Sequence, residues 1–388
     1  MVQRECFARL ALILTPMFVL ATTGLGCTTP YEPPIIVHGA AKFPGLVALL
    51  EPARTLDVVM VHGMCTHDAA WAKVAIDELS SAIGSSIDSS RERVLEVQAP
   101  GPVRIYTRDV HVGRGVIRFS ALVWSPLTAP LKKQLAYDLT GKPTDCSTEG
   151  TCKPRRAALN GALKDSLLND CLADALAYQG RSRDTMRGHM VEAITAVMSD
   201  SSALSGAAGT TPGPLVLITE SLGSKLTFDA IEEMAFGPAR SESVRRAGSE
   251  AIGRLSIVFM GANQLPILGL ADQVHQIERG EAVPAAYAEE TLQRILRARA
   301  NSAELEATPA EVKVRLVAYT DPNDLLSYRL DPSRYNAPGV AVSDVLVSNA
   351  PTYFGIFARP DHAHIRYHQN KSVVRLISCG FPKDQRCH

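Results

Sequence analysis

The stretch Leu215-Val216-Leu217-Ile218-Thr219-Glu220-Ser221-Leu222-Gly223-Ser224 constrains the fold of this chain more than any other. Its first four residues are apolar, the pattern of a strand buried on both faces, as in a parallel sheet covered by helices. From Lys225 to Ile231 the apolar residues fall at helical spacing. Between the two lies a sharp turn at Glu220-Ser221. A strand that enters a helix through so tight a turn lifts the serine hydroxyl off the edge of the sheet. The helix start behind it offers unpaired N–H groups and a partial positive charge to a negatively charged oxygen. Gly223 lets that helix start pack close to the neighbouring strand.

This strand, turn and helix have the form of a nucleophile elbow. On it the chain resembles the α/β-hydrolase superfamily, on the esterase and lipase side, although Thr219 stands where G-x-S-x-G has its first glycine. The resemblance covers roughly Leu56 to the C-terminus. It implies a mostly parallel sheet flanked by helices, a helical insertion acting as lid or cap, Ser221 as nucleophile, and no metal or organic cofactor.

Leu56 to Val61 reads as a second buried strand, ending at His62-Gly63-Met64. Family members carry His-Gly at this strand end, so the resemblance assigns the backbone N–H groups of Met64 and Leu222 to an oxyanion hole. His62 then shapes the loop and moves no proton. Asp68 is placed to cap the helix that follows through Trp71, Val74, Ile76 and Leu79. Val103–Val112 and Val116–Trp124 read as two further strands. Gly63, Trp124 and Asn263 are the candidate pocket residues. Trp124 either lines the pocket or fills the core, and Asn263 either meets substrate or holds its own loop.

The acid and base come from the C-terminal third. The strand Val312–Tyr319 runs into Thr320-Asp321-Pro322-Asn323-Asp324-Leu325-Leu326. The resemblance puts a carboxylate here. Asp324, just before an apolar pair, fits better than Asp321, whose Asp-Pro is a turn starter. Val345–Ser348 reads as the last strand and Lys371–Ile377 as the last helix. The loop between them holds Asp361, His362, His364 and His368. His364, in Ala-His-x-x-Tyr, fits the base best, with His362 next and His368 third. The order Ser221, Asp324, His364 is that of the superfamily. Two other readings remain: a metal-dependent hydrolase built on the 361–368 histidine cluster, and a non-catalytic surface lipoprotein that keeps the fold.

Arg4 and Arg9 precede an apolar run, Leu10 to Ala21, too short to span a bilayer comfortably. Thr22-Thr23-Gly24-Leu25-Gly26-Cys27 follows, and the segment resembles a bacterial lipoprotein signal with Cys27 as the lipidated residue. The alternative is an ordinary secretory signal cut near Ala21. On the lipoprotein reading residues 1–27 are signal, 28–45 a tether and 46–388 the hydrolase domain, with 128–201 inserted. The protein then sits in the cell envelope, membrane-anchored, at the outer membrane in a Gram-negative host; the alternative is secreted or periplasmic. Ile35 to Leu50 leaves room for one short strand, so the front edge of the sheet is expected to be truncated or replaced.

Lys and Arg number 40 and Asp and Glu 40, so no basic surplus suggests a nucleic-acid partner. The resemblance implies instead an ester substrate, small or lipid. Setting aside Cys6 and Cys27 leaves six cysteines. Cys146–Cys152 and Cys379–Cys387 are the closely spaced pairs, and Cys65–Cys171 is left by subtraction. Within the insertion, Asp170 and Asp174 read as a solvated helix face. Met186–Met198 reads as the helix before the elbow strand, Ser199–Gly213 as a flexible loop, and Tyr287–Ala300 as a crossover helix.

Overall fold

The buried apolar runs are the central members of one sheet of nine described strands. In chain order these are β1 (Ile35–Gly39), β2 (Arg54–Val61), β3 (Leu95–Val97), β4 (Arg104–Val112), β5 (Gly115–Val123), β6 (Thr211–Glu220), β7 (Leu255–Gly261), β8 (Val314–Thr320) and β9 (Val340–Leu346). The computed structural model describes residues 27–28, 33–52, 54–84, 95–97, 101–141, 156–207, 211–238, 240–273, 275–278, 281–284, 289–302, 312–353 and 356–387. Across the sheet the order is β1-β9-β8-β7-β6-β2-β5-β4-β3. The strands from β9 to β5 run parallel. β1 joins one edge antiparallel to β9, and β4 and β3 close the other edge, each antiparallel to its neighbour.

Helices cover both faces, giving an α/β architecture. α1 (Ala69–Ile83) and α7 (Lys371–Cys379) lie on one face; α2 (Arg183–Ala207), α3 (Leu222–Phe236), α4 (Glu242–Arg254) and α5 (Thr291–Asn301) lie on the other, and the short α6 (Pro360–Ile365) follows β9. Alternation along β2 explains the two layers. Val59 and Val61 enter the core under α2 to α5, while Leu56, Val58 and Met60 enter the core under α1 and α7.

The front edge is replaced, not truncated. The hairpin β4–β5 follows β2 in the chain yet fills that side of the sheet. β1, inside the segment read as tether, takes the opposite edge, and Phe43 bridges to Phe381. Cys27–Thr28 pairs with Thr352–Tyr353, which in turn pairs with Phe357–Ala358. Most of the 1–27 and 28–34 segments, and the pair Cys146–Cys152, lie outside the described residues.

Two expectations about element bounds need correction. The segment read as a loop from Ser199 continues α2 as far as Ala207, because its serines and alanines carry no helix breaker until Gly206. The last strand begins at Val340, five residues before Val345, since Val340–Ser343 complete the pairing with β8. The insertion is helical as expected: Ala158–Ala162 leads into a π-helical stretch, Leu163–Leu172, and then Ala173–Gln179.

Candidate active site

Ser221 sits between β6 and α3 at φ 53°, ψ −129°. A residue with a Cβ is held there at a cost of about 1–3 kcal/mol, so its surroundings must impose it. They do so from two sides. The Ser221 N–H donates to the Gly261 carbonyl at the end of β7, 2.9 Å away. Gly223 brings α3 so close to β2 that a Cβ there would lie 2.1 Å from the His62 carbonyl oxygen. Thr219, the departure from the glycine pattern, is fully buried, and its hydroxyl accepts from Ser224 Oγ at 2.9 Å across the elbow. A polar side chain at that position is tolerated because its hydrogen bond closes locally.

Two partners reach the serine from beyond β7, after β8 and β9. His364 Nε2 lies 3.1 Å from Ser221 Oγ. His364 Nδ1 lies 2.8 Å from Asp324 Oδ1 and 3.0 Å from Oδ2. Asp324 follows β8 and His364 sits in α6, after β9. All three side chains are buried. The Asp324 carboxylate also accepts from the Leu326 N–H at 3.0 Å and from the Tyr367 hydroxyl at 3.1 Å. Tyr367 in turn accepts the Asp321 N–H at 2.8 Å. Its role was not read from the sequence, although the Ala-His-x-x-Tyr spacing contains it.

Asp321 has the other role expected of it. Its carboxylate accepts the Asn323 N–H at 2.8 Å and the Asn349 N–H at 2.7 Å, tying the loop after β8 to the loop after β9. Burial pushes its carboxyl above the ordinary range, against the pull of those amides. His362 faces Asp361 and Arg366. His368 Nδ1 lies 3.4 Å from Glu220 Oε1. The three histidines of the 361–368 cluster therefore point to three different places. Among the described residues, the group of metal-ligating types that does converge is Cys65, Asp170 and Cys171, and its two cysteines form a disulfide.

The loop after β2 lies against the serine: a Cβ at Gly63 would be 2.8 Å from Ser221 Cβ and 3.4 Å from its Oγ. His62 is wholly buried and stacks on Trp124 at 4.7 Å. The Trp124 N–H donates to His62 Nε2 at 3.0 Å, so the ring proton is on Nδ1, which donates to the Gly63 carbonyl at 2.7 Å. Burial holds His62 well below the ordinary imidazole value, and neighbouring His67 adds to the effect. Trp124 also donates Nε1–H to the His62 carbonyl at 2.8 Å. Fully buried, Trp124 is a core residue supporting the loop and not a pocket wall. Asn263 is likewise internal: it is buried, its Oδ1 accepts the Leu265 N–H at 3.1 Å, and its carbonyl accepts the Tyr328 N–H at 2.8 Å. Neither the Met64 nor the Leu222 amide takes a hydrogen bond among the described residues.

The helical insertion grips this loop. Cys65 is disulfide-bonded to Cys171, its N–H donates to Asp174 Oδ2 at 2.9 Å, and the Thr66 N–H donates to Asp170 Oδ2 at 3.0 Å. Lys132 Nζ lies 2.8 Å from Asp170 Oδ1 and 3.1 Å from Asp174 Oδ1. Asp170 and Asp174 are thus not a solvated face. Asp174 is completely buried, and burial raises its carboxyl above the ordinary range while Lys132 opposes the shift. Helical spacing brought the two carboxylates together, but it could not reveal that the face meets another loop. The second described disulfide is Cys379–Cys387. Comparison with protein-family models, curated proteins and solved structures finds no match for this chain.

Proposed function

We propose that this chain is a serine hydrolase of α/β-hydrolase architecture that cleaves carboxylic esters, lipid esters among them, through an acyl-Ser221 intermediate. The observation that carries the reading is the hydrogen-bonded line from Ser221 Oγ through His364 to Asp324, 3.1 Å and 2.8 Å long, after strands β6, β9 and β8 of one sheet. The sheet order supports it: nucleophile, acid and base follow β6, β8 and β9 in the superfamily's sequence order.

The chemistry follows from the contacts. Asp324 accepts from His364 Nδ1–H, leaving Nε2 with its lone pair toward the serine. As Oγ attacks the ester carbonyl, Nε2 takes the hydroxyl proton. The carbonyl oxygen becomes an oxyanion, met by the unpaired N–H groups of Met64 and Leu222; losing one such donor typically costs about 10²–10³ in rate. His364 returns its proton to the departing alcohol, leaving acyl-Ser221. Water then attacks the acyl carbon, His364 taking its proton, and collapse releases the acid and restores Ser221–OH. An alcohol in place of water would make the same site an acyltransferase. No metal or organic cofactor enters these steps. We further propose that Cys27 carries a lipid anchor in a bacterial cell envelope.

The test is a fluorophosphonate probe with a chain-length series of nitrophenyl esters, on wild type and Ser221→Ala. Labelling at Ser221, with turnover abolished in the variant, is the expected result. Full turnover in Ser221→Ala refutes the proposal, and activity lost to a chelator without labelling replaces it with metal chemistry. Product analysis with added alcohol separates hydrolysis from acyl transfer.

A further inference from the structure

We infer that Asp174 and Asp170 are positioning residues for the Met64 amide, so that the helical insertion sets the turnover of the site; this rests on the serine-hydrolase reading above. The argument is about two successive peptide planes. The first joins Gly63 to Met64, and its carbonyl accepts His62 Nδ1–H at 2.7 Å. The second joins Met64 to Cys65. Its carbonyl faces His67 Nε2 at 3.2 Å, and its N–H is held by Asp174 Oδ2 at 2.9 Å. Those bonds occupy every polar backbone group of the two planes except the Met64 N–H, the one the hydrolase reading assigns to the oxyanion.

The loop does not hold this shape by local preference. Cys65 has φ 78°, the left-handed region that residues with a Cβ rarely adopt. External contacts must impose it: Ser125 Oγ, after β5, accepts the His67 N–H at 2.8 Å and donates to the Cys65 carbonyl at 3.3 Å, and the remaining contacts come from Asp170, Cys171 and Asp174, neighbours on one helical face. That face straddles the end of the π-helical stretch Leu163–Leu172, a form concentrated at functional sites. Asp174 is buried, and a buried carboxylate is retained only with partners. Here those partners are the Cys65 N–H, Lys132 and the Thr128 side chain. Releasing Asp174 frees the second plane to turn, and the Met64 N–H turns with it.

The experiment measures kcat and KM for p-nitrophenyl butyrate in Asp174→Ala, Asp174→Asn, Asp170→Ala and Ser221→Ala. Active sites are counted by fluorophosphonate burst, and folding is followed by thermal unfolding. Asp174→Ala should lower kcat roughly 10–10²-fold, short of the loss of a whole oxyanion donor. KM should hold within about twofold, since an interaction made only in the transition state appears in kcat. Asp174→Asn keeps an oxygen acceptor and should stay within about threefold of wild type. If Asp174→Ala does not fold, Asp170→Ala decides, because its side chain is 35% exposed; it should lose about 3–10-fold in kcat alone. Wild-type kcat in the folded alanine variants, or equal losses in Asp174→Asn and Asp174→Ala that track thermal stability, overturns the inference. With Ser221→Ala inactive, such a result removes only the positioning role; an active Ser221→Ala removes the hydrolase reading itself.

Discussion

Gly223→Ala tests how tightly the nucleophile helix must pack. The added Cβ would lie 2.1 Å from the His62 carbonyl oxygen, 2.9 Å from its carbon and 3.0 Å from the Val61 oxygen. All three are backbone atoms of β2 and the loop that follows, so no side chain can swing away. Carbon and oxygen come no closer than roughly 3.3 Å in ordinary contact, so the gap must open by about 1.2 Å. The atoms that separate carry Leu222 on one side and the Gly63-Met64 loop on the other. An ångström of misplacement at a reacting centre costs about 10² in rate, and overpacking of this kind costs about 1–3 kcal/mol in stability. The assay is kcat on a nitrophenyl ester, normalised to fluorophosphonate-titrated sites, beside a thermal unfolding curve. Gly188→Ala is the control: it lies in α2 with nothing within 4 Å of its would-be Cβ. It should keep full activity and gain up to about 1 kcal/mol. A Gly223→Ala protein with wild-type kcat and melting temperature would refute the claim that this contact sets the geometry.

Four further outcomes are expected. Asp324→Asn should lower kcat by about 10⁴, as loss of the correct imidazole tautomer does in comparable triads; Asp321→Asn should chiefly lower the melting temperature, and the reverse pattern would exchange their roles. Tyr367→Phe leaves the Asp321 N–H without its acceptor and should destabilise by about 1–3 kcal/mol, read in a denaturant titration. His62 and His67 are both held below the ordinary imidazole range by burial. Their folded values lie below the unfolded one, so their contribution is intact above about pH 6.5 and is lost as pH falls, each by up to about 1.4 kcal/mol per pH unit. Unfolding midpoints measured from pH 7 to 5 that do not fall would contradict this. Serine replacement of Cys379 and Cys387, separated by 8 residues, should cost about 2.5 kcal/mol of stability by loop entropy, with the esterase rate unchanged.

The sequence was most legible where one residue type had few alternatives. An apolar strand turning at Ser221 into a helix, and a histidine between the last strand and helix, leave little freedom. The two side chains lie 3.1 Å apart. Asp324 over Asp321 was legible because an Asp-Pro pair has a ready use as a turn, and Asp321 caps its loop in that way. The edges were less legible. β1 and β4–β5 are placed by pairing across the sheet, which alternation alone does not specify. Trp124 and Asn263 sit at strand ends, as pocket residues would, but burial turns both inward, and burial is a property of the packed neighbours. Asp174 was misread for the same reason: its partner is 109 residues away, on a loop whose conformation no local pattern announces.

β6, β7, β8 and β9 are consecutive in the chain and adjacent in the sheet, and their ends bring Ser221, Asp324 and His364 together. β2, which delivers the Gly63-Met64 loop, comes from the other half of the chain and closes against β6. On the proposed reading the active centre therefore lies on a seam between two segments, with Ser221 on one bank and the Met64 amide on the other. Slippage along that seam would silence turnover while either bank kept its secondary structure, so catalysis should fade on warming before the circular-dichroism signal does.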